Sequence, residues 1–152
     1  MLKRTISTNA PGWVILIRLA VGAVFLAEGI QKFLFPDALG VGRFTKIGIP
    51  APQVMAPFVG VFEIGCGALL LLGLLTRLAT IPLIIDMLVA VATTKIPILL
   101  KSGFWAMAHE ARTDYAMLLG CLLFLIVGAG RWSMDACLSG AVETKGPEEP
   151  KG

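Results

Sequence analysis

Four long apolar runs, separated by clusters of polar and charged residues, organise the chain: Trp13–Phe35, Val54–Leu75, Leu78–Leu100 and Tyr115–Gly130. Crossing a hydrocarbon core of about 30 Å takes about 20 helical residues, with a working range of about 17–25. The first three runs meet that requirement, and the fourth meets it when it starts near Arg112. A lipid-facing backbone must satisfy its own hydrogen bonds, so each run predicts a helix. The pattern therefore predicts an all-α fold, an integral membrane four-helix bundle over residues 13–138. A tail over 1–12 precedes it, and a polar tail over 139–152, ending VETKGPEEPKG, has the composition of a disordered segment.

The breaks between runs predict the connections. Residues 36–53 hold several prolines and glycines with Arg43 and Lys46, too much chain for a tight turn, and predict a segment in the membrane interface. Gly73, Thr76 and Arg77 in LLGLLTRLAT mark a reversal so short that helices two and three must be antiparallel neighbours. The third break, KSGFWAMAHEARTD, interleaves aromatic and charged residues in the way that suits a headgroup-level loop.

Composition sharpens this picture. The chain is 57% hydrophobic and 15% charged, against about a quarter charged in a soluble domain. Lys3 and Arg4 ahead of an apolar run resemble a secretory signal. The run is too long for that, carries Arg18 and Glu28, and offers no small-x-small cleavage site, so it is read as the first span. A dispersed net charge of +3 argues against nucleic acid as a partner. Cys66, Cys121 and Cys137 form no CxxC pair and read as small apolar fillers, while a single histidine cannot build a metal site. With an even number of spans both termini share one side. That side carries Lys3, Arg4, Arg77, Arg131, Lys145 and Lys151, against Arg43, Lys46, Lys101 and Arg112 opposite, a bias that puts the termini in the cytoplasm.

Polar residues inside the runs are the candidate chemistry. Glu63 and Asp86 lie about nine and eight residues into antiparallel helices, which at 1.5 Å per residue puts both carboxylates at a depth of about 12–18 Å. An ionised acid at a helix centre costs about 2.5–3.5 kcal/mol even on the lower scale, so both should face the bundle interior. They form either an interhelical clamp or a site for protons or a ligand, and Arg18 comes within reach if its helix tilts. Glu28 and Lys32 stand in the favourable i,i+4 order for an ion pair. They either anchor the end of helix one or line the mouth of a pocket with Gln31, Lys95 and the third connection. His109 and Glu110, placed beside the start of helix four, are either solvated or help hold a small anion or a quinone headgroup at helix N-termini. Gly60, Gly65, Gly67 and Gly73 in helix two read as close packing between helices.

With those residues located, the chain resembles the DoxX family of small four-helix bacterial membrane proteins over about residues 13–138. The likeness rests on RLAVGAVFLAEGIQK, on GIPAP before helix two, on FVGVFEIGCGALLLLGLLTR around Glu63, and on the closing GAGRWSMD. What the resemblance implies is a bacterial inner-membrane protein linked to sulfur and quinone oxidoreduction, to thiol and oxidative-stress defence, or to detoxification of quinones and catechols.

Taken together, these readings predict a membrane subunit or small enzyme that works with quinone, with Glu63 and Asp86 exchanging protons. Arg18 tunes the pair, and Lys32 with Lys95 guides an anionic substrate. No haem, flavin or iron–sulfur motif is visible, so no covalently bound cofactor is expected, and electrons must come from a substrate or a soluble oxidoreductase partner. Two other readings stay open. One is a non-catalytic scaffold in membrane lipid that recruits a soluble enzyme. The other is a small-solute or proton-linked transporter, for which four helices would require a homodimer.

Overall fold

The computed structural model describes residues 10–143, and every regular element among them is helical. These elements are α1 (Val14–Leu34), a short α2 (Val41–Lys46), α3 (Pro52–Leu72), α4 (Thr76–Ala90), a π-helical turn (Val91–Lys95), α5 (Ile96–Val127) and α6 (Met134–Glu143). Three helical stretches are long and apolar enough to cross a membrane: Val14–Leu34, Pro52–Leu72 and Thr76–Val127. The third is 52 residues long, and Gly103 at φ 80°, ψ 177° breaks it into two arms. The arms lie antiparallel. Arg77 Nη2 donates to the Ile126 carbonyl at 2.9 Å near one end, and Lys95 pairs with Asp114 toward the other. The result is a bundle of four: α1, α3, residues 76–102 and residues 104–127.

The third connection is therefore not a loop. Helix four begins at Phe104, immediately after Gly103, and not near Arg112 or Tyr115. The alanines, Met107, Glu110 and Arg112 in this stretch are good helix formers, and only the glycine interrupts. Polar composition here marks the outer end of a helix and not its absence. At the other end, the 138/139 boundary falls inside α6, while residues 144–152, most of the expected disordered tail, lie outside the described residues.

Helices one and two approach at backbone distance. A Cβ placed on Gly29 would sit 2.7 Å from the Gly60 carbonyl oxygen, and one on Gly67 would sit 3.0 Å from that of Gly22. In lipid, where apolar burial gives no drive to associate, close backbone packing of this kind supplies much of the adhesion. Around Leu70, Leu83, Cys121 and Phe124 the interior is fully closed. Large apolar side chains cover the outside, Ile126 at 73% and Trp105 at 84% exposed among them, while Arg18 and Glu63 are inside. Apolar out and charged in is the distribution expected of a bundle dissolved in lipid.

Candidate functional site

The buried charges fall into two tiers. The first lies where the start of α1, the α3–α4 reversal and the chain beyond helix four meet. Gly73 ends α3 in a left-handed conformation, with its N–H bonded to the Leu70 carbonyl and that of Leu74 to Leu69, the pattern of a Schellman cap. Leu75, the next turn residue, also has a positive φ of 48°, a conformation that disfavours a branched side chain. Asp135 holds it there. Its carboxylate accepts the Leu75 N–H at 2.8 Å and the Thr76 N–H at 3.0 Å, capping α4 from another element, while its own N–H donates to the Gly73 carbonyl at 2.9 Å. Arg18, 2% exposed, completes the tier, donating to the carbonyls of Ala129 and Trp132 at 2.7 Å each. The expected approach of Arg18 to Glu63 and Asp86 does not occur. The guanidinium is engaged by the chain beyond helix four, with Asp135 the carboxylate in its electrostatic reach.

The second tier lies toward the opposite side and draws on all four helices. Glu63 of α3, 3% exposed, lies with Oε2 2.5 Å from Lys32 Nζ of α1. Lys32 thus pairs across the helix interface and not with Glu28 one turn earlier, which is exposed. Glycine explains the choice: contact at Gly29 and Gly60 brings helix two close enough for the lysine to reach inward, where a desolvated carboxylate offers more than an exposed one. Asp86 of α4 is half-buried, with Glu63, Lys32, Glu28 and Asp114 all in its electrostatic reach. Its carboxyl meets that of Glu63 within hydrogen-bonding reach. The structure therefore brings the two acids together inside the bundle.

Lys95, 7% exposed, belongs to the same tier through a 3.0 Å ion pair with Asp114 of helix four. The π-helical turn that ends at Lys95 inserts one extra residue and rotates the helix beyond it, a device common at functional sites. Thr93 and Thr94 support it by donating to the Val89 and Ala90 carbonyls at 2.8 and 2.5 Å. Gln31 is half-buried, one residue before Lys32. His109 and Glu110 are exposed and stand more than a turn inside helix four, not beside its N-terminus. His109 is held by Arg112, whose Nη1 lies 2.9–3.0 Å from the ring nitrogens. Among the described residues no group of three His, Cys, Asp or Glu could hold a metal ion.

Two residues of these tiers are not singled out by the sequence pattern. Asp114 stands in a polar segment that reads as a loop; with helix four started after Gly103, it becomes an acid within a span and the third carboxylate of this tier. Asp135 shows only as part of the closing GAGRWSMD. Its signal is indirect, since the α3–α4 reversal has no capping side chain of its own and must borrow one.

Comparison with known proteins agrees with this architecture. The chain is 55% identical over 142 residues to an uncharacterized membrane protein of Mycobacterium tuberculosis, Rv3486, covering 90% of this chain and 87% of that one. It is 27% identical over 121 residues to CatD of Bacillus subtilis, a protein named provisionally as an oxidoreductase, covering 80% and 83% of the two chains. No solved structure matches it significantly. The DoxX sequence profile matches residues 13–96, which is the first three helices through Lys95, and with it the chain belongs to the DoxX family of membrane proteins.

Proposed function

We propose that this protein works in the bacterial cytoplasmic membrane, termini inward, in thiol or sulfur oxidoreduction linked to quinone, with the second charged tier as its proton-handling centre. One observation carries the reading: the Lys32–Glu63 ion pair sits inside the bundle, and the Glu63 carboxyl meets that of Asp86 within hydrogen-bonding reach. Lys32 and Lys95 face Glu63, Asp86 and Asp114, so one proton shared among the carboxylates makes the tier neutral. Such a group stays neutral only when it takes up one proton as it gives up another, so it can pass protons inward to a quinone without holding a net charge in lipid. In balanced form, two thiols and one quinone give one disulfide and one quinol. Two S–H bonds break and one S–S bond forms, and two electrons and two protons pass to the quinone oxygens. Glu63 and Asp86 relay the protons, and Lys32 holds the relay in place. The name of the CatD relative supports an oxidoreductase reading.

The test is quinol formation by the purified protein in liposomes with a dithiol or thiosulfate as donor, alone and with a soluble fraction from the same cells. We expect Glu63→Gln and Asp86→Asn to lose at least about tenfold in rate, which corresponds to about 1.4 kcal/mol of barrier. Unchanged rates in both would remove the proton relay and leave a scaffold.

A further inference from the structure

Two open grooves run along the outside of the bundle, and they differ in chemistry. One, about 410 Å³, lies between helices two and three and has wholly apolar walls, among them Phe62, Leu69, Leu78 and Ile85. The other, about 720 Å³, lies between α1 and helix four. Its floor is apolar, with Leu16, Ala20 and Val24 on one wall and Ala116 and Met117 on the other, but one end carries Arg112 and Thr113. That end faces the same side as the Gly103 turn, about nine residues or 13 Å along helix four. A membrane amphiphile has this arrangement, with a polar head toward one surface and a tail running inward.

Resting on the reading proposed above, we infer that this groove is the docking site of the quinone, its ring oxygens at Arg112 and Thr113 and its tail along Leu16–Val24. Arginine offers five N–H donors, and the contact with His109 engages only Nη1. Charge selects the head. Glu28 is exposed one helical turn beyond Val24 on the same face of α1. A carboxylate at the mouth disfavours a phosphate headgroup and tolerates an uncharged ring with acceptor oxygens. The groove also leads to the charged tier. Thr113 lines it, and the next residue, Asp114, turns inward to Lys95, so a head at Thr113 lies next to the outermost carboxylate of the proton relay.

A decyl-tailed benzoquinone titrated into the full-length protein in phosphatidylcholine nanodiscs, followed by tryptophan quenching, tests the site. Ala20 and Ala116 are exposed, so Ala20→Phe and Ala116→Phe fill the groove without disturbing the interior. Each, and Arg112→Gln, should weaken binding at least about tenfold, or about 1.4 kcal/mol. Leu78→Phe in the apolar groove should bind as the parent does. Parent-like binding by the groove-filled variants overturns the site, as does equal displacement of the quinone by an equimolar amount of phosphatidylglycerol. Quinol formation separates this from the proton relay. Groove-filled variants that bind normally while Glu63→Gln loses turnover reject the groove and keep the relay. Lost binding in those variants with normal turnover in Glu63→Gln and Asp86→Asn rejects the relay and keeps the groove.

Discussion

Both charged tiers bury ionisable side chains in the same bundle, yet they are bonded in opposite ways. In the Arg18–Asp135 tier each side chain bonds to the backbone: Arg18 donates to the carbonyls of Ala129 and Trp132, and Asp135 accepts from the N–H groups of Leu75 and Thr76. Those partners cannot move without unwinding a turn, so the charges act as rivets. In the Lys32–Glu63 and Lys95–Asp114 tier the contacts run between side chains, and the Asp86 carboxyl meets that of Glu63. Side-chain partners can exchange and share protons. Burial alone does not single out a functional charge; the kind of partner does.

That contrast predicts its largest effect at Arg18. Arg18→Met removes two charge-assisted bonds, strands the carbonyls of Ala129 and Trp132, and takes a cation from the reach of Asp135. Breaking one partner of a buried ionic group costs about 3–5 kcal/mol. Thermal unfolding in detergent should show a loss of that size, while the protein that remains folded should turn over normally. A folded fraction that is inactive would place Arg18 in the chemistry after all.

The second tier should respond differently to the same kind of change. Lys32→Met leaves Glu63 buried and unpaired, at a cost of about 3 kcal/mol, the low end of the range for a broken buried pair. Adding Glu63→Gln removes the stranded charge and should restore stability, with a coupling energy of about 1–3 kcal/mol in a double-mutant cycle. Activity should stay lost in the double variant, because the relay is gone although the fold has recovered. Recovered stability thus leaves function behind in this tier, whereas at Arg18 the folded fraction keeps its turnover. Additive losses in the cycle would mean that the two side chains do not share one interaction.

How much of this is legible in the sequence depends on the kind of constraint each feature obeys. The spans are legible because hydrocarbon thickness fixes their length, and the α3–α4 reversal because Gly73 punctuates it. The depth of Glu63 and Asp86 comes from counting along antiparallel helices. Which partner each charge takes is not legible. Lys32 has Glu28 within its own helix at a favourable spacing, and only the glycine contacts at Gly29 and Gly60 decide that Glu63 wins. The start of helix four is hidden for a related reason: charge in a membrane protein reads as loop, although a helix can carry polar residues through its outer turns.

Glu28 gives the smallest predicted effect and the most direct test of that decision. It is exposed, and Lys32 turns away from it toward Glu63. If the pairing within helix one contributed, Glu28→Gln would cost about 0.2–0.5 kcal/mol, the usual worth of an i,i+4 pair. With the lysine committed elsewhere, the same substitution should leave the unfolding midpoint unchanged, and combined with Lys32→Met it should add nothing to the loss. Glu28 does stand one helical turn beyond Val24 of the α1–helix four groove, however, and on the proposal above its charge works against an anionic head there. Glu28→Gln should therefore raise the competition by phosphatidylglycerol in the quinone titration while stability holds. A shift in the midpoint without a change in lipid competition would return Glu28 to the pair within its own helix.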